Sequence, residues 1–135
     1  MESWRQVWRQ AILPLLSDEA IKALQNGLAE DDVHLLQGRT TNPPPLMEFT
    51  DLCVDGACPL GYCAWQGEGL QTVGEVEEWF ARMCFEVDKR LGEPAGCRWF
   101  LNWVDETPRE EMRTQLLAEV EEAIAQRQSL VMAMV

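Results

Sequence analysis

The residues of this chain with the most reactive side chains are five cysteines and a single histidine. Three of the cysteines recur as Cys53-x4-Cys58-x4-Cys63. Thiolates bind soft metals and iron–sulfur clusters, so Zn or Fe at these three residues, with His34 beside them, is the first chemistry they suggest. The spacing departs from the CxxC-like pairs of zinc knuckles and from the plant-type ferredoxin run, whose second interval is two residues. Cys53 and Cys58 facing each other across a hairpin would alternatively form a disulfide. In a continuous strand Cys63 lies an odd interval from Cys58 and points to the opposite face. Cys84 and Cys97 stand in apolar helical sequence and read as core packing. Buried packing or simple thiols is the plainer reading of the other three as well.

Other catalytic patterns are missing from the sequence. A lone histidine builds no two-His metal site, and there is no HExxH motif. A Cys–His pair between His34 and a loop cysteine needs the fold to bring them together. The glycines at 67, 69 and 74 match neither GxGxxG nor a P-loop, and no lysine follows them. Glu75, Glu77, Glu78, Glu110 and Glu111 suit the positive ends of helix dipoles, which explains them without catalysis. Trp65, Trp79, Trp99 and Trp103 read first as core aromatics. Trp99 and Trp103, with Arg98, are also the candidates for a small-molecule pocket.

Eleven basic and 23 acidic residues give a formal charge of −12. That surface repels phosphate backbones and anionic membranes, so neither nucleic acid nor a membrane is an expected partner. Basic proteins or cations suit it better, although the excess carboxylates also serve to keep a chain with six tryptophans soluble. No stretch approaches the ~20 apolar residues that cross a bilayer. With no export signal at the N-terminus, the expected compartment is the cytoplasm, with the cysteines mostly reduced.

The elements that must position these residues read as helices. The expected fold is mainly α: one compact domain, residues 1–135, of about five helices. Residues 39–71 form an irregular Cys/Gly/Pro-rich insertion, which has room for a short β-hairpin at Asp55-Gly56. Ser3 caps a first helix that Pro14 breaks, and Ser17 or Asp18 caps a second that runs to about Ala29. A short third helix covers Asp31 or Asp32 to Gln37, burying Val33, Leu35 and Leu36. The three prolines from Pro43 to Pro45 make a rigid connector. Thr72 and Glu75 form a capping box, and Gly92 and Pro94 end the helix that follows. Its Glu78–Arg82 and Glu86–Arg90 pairs have the favoured polarity. Pro94 to Val104 is a Trp-rich helix expected to be buried on most sides. Thr107 to Glu110 repeats the capping-box pattern, and its helix runs to about Gln128 with Glu119, Glu121 and Glu122 mostly outward. The two capped helices bracket the Trp-rich one.

Residues 129–135 make an apolar tail. Leu130, Val131, Met132, Met134 and Val135 either fold back, continue the helix or form an interface. These features point to a non-catalytic protein-interaction or regulatory domain, using its acidic surface or this tail for a protein partner or for self-association. A thiol or metal site in the cysteine loop is the alternative, and a Trp-lined pocket the third reading.

Overall fold

The computed structural model describes residues 3–45 and 51–134, apart from the side chain of Ser3. The fold is mainly α: 70% helical, with six α-helices and one two-stranded antiparallel sheet among the described residues.

Helix α1 (Ser3–Val7) runs on through a π-helical turn, Trp8–Ile12, and a 3-10 turn, Leu13–Leu15. The helical path therefore passes Pro14 instead of stopping before it. Pro14 falls at the start of the tight turn, where its missing N–H leaves no helical bond unmade. The expected Ser3 side-chain cap lies outside the described residues. Helix α2 (Asp18–Ala29) is capped as its sequence predicts, with Ser17 Oγ accepting from the Ala20 N–H at 3.1 Å. Its stripe of Ala20, Ile21, Leu24 and Leu28 is buried.

No helix forms over the expected third segment. Its backbone bonds go elsewhere: the Leu36 N–H donates to Ala57 O at 2.7 Å, and the Ala57 N–H to His34 O at 2.9 Å. The Arg109 guanidinium donates to the carbonyl oxygens of Leu35 and Asp32 at 2.8 and 2.9 Å. Leu35 is buried, whereas Val33 is 79% exposed. Strand β1 (Thr41–Asn42) pairs antiparallel with β2 (Gly56–Ala57), Thr41 opposite Ala57. The two-residue hairpin at Asp55-Gly56 is thereby corrected, because the Asp55 N–H donates to Asn42 O and Cys53 bridges Thr72. Residues 46–50, within the segment 39–71 read as irregular, lie outside the described residues.

Pro59 opens α3 (Pro59–Tyr62), which continues in a π-helical turn, Cys63–Gly67. Helix α4 (Val73–Leu91) has both halves of its capping box, and Gly92 ends it in the left-handed region at φ 69°. The Glu78–Arg82 pair forms. Thr72→Ala removes the side-chain acceptor of the Glu75 N–H, held at 3.2 Å. It is expected to cost about 1 kcal/mol in urea unfolding, and an unchanged midpoint would show that water replaces the cap without loss.

Helix α5 (Gly96–Glu106) starts two residues beyond Pro94. It is one-sided rather than enclosed: Cys97, Phe100, Leu101 and Val104 are buried, while Arg98, Trp99 and Asn102 are exposed. Helix α6 (Arg109–Ala133) follows directly. The second capping box does not form. Thr107 ends α5, Pro108 precedes α6 without a side-chain cap, and the Glu110 carboxylate accepts from Arg113. Met112, Leu116, Val120 and Ala123 are buried. Helices α1 and α4 pack on α5, whereas α6 packs chiefly on α2, so the bracketing of α5 by α4 and α6 is corrected. The reason is the N-terminal segment, whose Trp4 and Trp8 occupy the ground beside α5.

Candidate interaction surface and cysteine sites

The three loop cysteines occupy three different environments. Cys53 is exposed, in the bridge to Thr72. Cys58 is buried at the start of α3, where its Sγ accepts from the Gly61 N–H at 3.4 Å. Cys63 is buried in the π-helical turn. Burial pushes the Cys58 thiol up to about 12 and raises the Cys63 thiol further. Among the described residues no group of three or more His, Cys, Asp or Glu is placed to hold a metal ion. Cys53, Cys58, Cys63 and His34 are thus not gathered into one such group. His34 is exposed, donates from Nδ1 to Asp55 O at 2.7 Å and meets the Trp65 ring edge-on.

The tryptophans named for a pocket do not line one common cavity among the described residues. Trp103 lies flat against Trp4, ring centroids 3.7 Å apart, and Trp99 is 43% exposed. Trp65 stands edge-on to Tyr62, and Trp79 lies in a separate groove beside Leu15, Leu70 and Met83. Arg98 borders a small hollow of about 150 Å³ with Cys58, Phe80, Leu101 and Asp105, whose lining includes neither Trp99 nor Trp103.

The thiols that do meet are Cys84 and Cys97, the two read as packing. Cys84, Asp88 and Leu91 recur at steps of four and three on α4 and so share one face. The start of α5 docks there. The Cys97 N–H donates to Asp88 Oδ1 at 2.7 Å, and the Cys97 S–H donates to the Cys84 sulfur at 3.1 Å. That bond holds the Cys84 thiol below its ordinary value and drives Cys97 well above it. Cys84 is half-buried and Cys97 buried. The four-and-three recurrence on α4 was the available signal, but nothing local pointed to its partner.

Helix α6 supplies the other unusual surface. It continues past Gln128, where the sequence reading ended it, to Ala133. Leu130, Val131, Met132 and Met134 are 65%, 62%, 77% and 87% exposed. Val135 lies outside the described residues. Val131 and Met132 extend the Ile124 stripe by two turns and, with Ile21, Lys22 and Arg127, line a groove of about 360 Å³ between α6 and α2. Arg127 is held there by Asp18 at 2.8 Å and by Leu13 O at 2.9 Å. No described helix is long and apolar enough to cross a membrane. Compared with protein-family models, with curated proteins and with solved structures, the chain matches none.

Proposed function

We propose that this chain is a non-catalytic protein-interaction domain whose docking surface is the C-terminal end of α6 and the adjoining groove on α2. The observation that carries the reading is the exposure of four large apolar side chains, three on the last turn of α6 and one, Met134, at its C-terminal cap. An apolar cluster on a soluble surface costs solubility unless a partner covers it. Their helical backbone presents these side chains on a scaffold ordered before binding, which lowers the entropy lost on association. Two of the four are methionines, whose flexible thioethers adapt to an incoming apolar surface.

The partner expected is a helical protein segment, apolar on one side and flanked by basic residues. Charge supports this choice over a second copy. The chain carries −12, and Glu121 and Glu122 are exposed on the helix that bears the apolar end. Like-charged copies repel, whereas a basic flank is drawn in.

An amphipathic Leu/Lys helical peptide provides the probe, with an isomer carrying Glu for Lys as the control. The Lys peptide is expected to bind one site saturably. Val131→Asp with Met132→Asp, both at exposed positions, is expected to weaken it by roughly tenfold or more. Equal binding by the double variant, or by the acidic peptide, would overturn the reading. Light scattering separates the remaining outcome: a dimeric mass that the double variant abolishes would assign the surface to self-association instead.

A further inference from the structure

We propose that Cys84 and Cys97 are a reversible oxidation site, a dithiol that hydroperoxides convert to a disulfide joining α4 to the start of α5. The argument is geometric. The sulfurs are 3.1 Å apart, so closure to a bond of about 2.05 Å requires an approach of only about 1 Å. Both backbones are already fixed around the pair. The Asp88 carboxylate on α4 accepts from the Cys97 N–H, and the Asp88 carbonyl accepts from the Glu93 N–H in the turn between the helices. Neither loop cysteine of the buried pair Cys58 and Cys63 has such a sulfur contact, and Cys53 stands exposed at a strand bridge.

The two sulfurs are also unequal in the way a two-step oxidation needs. Cys84 is the more accessible and receives the hydrogen bond, which favours its thiolate; Cys97 is buried behind it and holds the proton. The Cys84 thiolate attacks the outer oxygen of ROOH, the O–O bond breaks, and the alkoxide leaves and is protonated to ROH. Cys84 is then a sulfenic acid. The Cys97 sulfur attacks it, the S–O bond breaks, and hydroxide departs with the Cys97 proton as water. Two thiols lose two electrons and the peroxide gains them.

The chain is well suited to the test, because Lys89 and Arg90 separate the two cysteines. Trypsin places Cys84 in one peptide, residues 83–89, and Cys97 in another, residues 91–98. The folded full chain is treated with hydrogen peroxide, blocked with an alkylating reagent and digested without reductant. The expected result is these two peptides joined, with the loss of two free thiols, and their separation by dithiothreitol. Cys97→Ser is expected to leave a dimedone-reactive sulfenic acid at Cys84. Should that variant not fold, phenylarsine oxide serves on the unmodified chain. It bridges paired thiols and is expected to protect Cys84 and Cys97 together from alkylation. Peroxide that joins Cys84 or Cys97 to Cys53 or Cys58, or that leaves both peptides alkylated while Cys53 oxidises, would overturn the proposal. So would independent alkylation of the two thiols in the presence of the arsenical.

Discussion

Phe100→Ala is expected to destabilise the fold by about 3–5 kcal/mol, a large share of the roughly 5–15 kcal/mol that holds a domain together. Phe100 is 0% exposed and sits between two tryptophans, with ring centroids 6.0 Å from Trp8 and 6.3 Å from Trp103. Trp103 in turn stacks on Trp4. These four rings join the N-terminal helical segment to α5, so the truncation opens a void at the contact between them. The rings around the void are large and their neighbours are packed, which limits how far the site collapses. Urea unfolding followed by tryptophan fluorescence measures the loss. Phe100→Leu keeps most of the volume and is expected to cost about 1–1.5 kcal/mol. A loss below about 1 kcal/mol for the alanine variant would show that the N-terminal segment does not pack on α5 in solution.

Glu119→Ala is expected to cost about 2 kcal/mol at neutral pH, the scale of hydrogen bonds to a charged group. The Glu119 carboxylate, 7% exposed, accepts from Arg9 Nε and Nη2, both at 2.7 Å, and from Arg5 Nε at 3.2 Å. The guanidiniums keep partial access to water, so the loss falls short of that for a fully buried pair. The same contacts set a pH dependence. The Arg9 hydrogen bonds hold the Glu119 carboxyl below the ordinary carboxylate range, despite its burial. The folded state then binds fewer protons than the unfolded state in that window. Its contribution is complete above the unfolded carboxylate pKa and is lost as pH falls through the lower folded value. The gap between the parent and Glu119→Ala is therefore expected to shrink on acidification. Glu77 carries the opposite sign, since burial raises its carboxyl and its Oε2 has no hydrogen-bond partner. A gap that widens in acid would remove Glu119 as the source.

Helix boundaries built from local chemistry were legible before any folding. Thr72 and Glu75 cap one another within a single turn, Gly92 stops the same helix, and Ser17 caps α2. Each depends on residues three or four apart, a distance that helical geometry alone fixes. The buried stripes of α2 and α6 follow from the same periodicity, and with them the mainly α class. The exposed apolar end of α6 was equally visible as a run of side chains, although whether it folded back was not.

The misses share a physical cause: each turns on which distant segment arrives. Glu119 reads as an outward residue of an acidic helix until Arg5 and Arg9, more than a hundred positions away, cover it. The glycine at position 27 in α2 is explained only by the Tyr62 ring, which a side chain there would meet at 2.8 Å. Gly56-Ala57 pairs with Thr41-Asn42 rather than with its own neighbours, and that choice dissolves the hairpin that aligned Cys53 with Cys58. The partnership of Cys84 with Cys97 arises because the α4 face bearing Cys84, Asp88 and Leu91 receives the start of α5. Turn and cap preferences act over one helical turn. Strand partners, ion-pair partners and thiol partners are selected by burying the whole apolar surface at once, and no short window of sequence contains that sum.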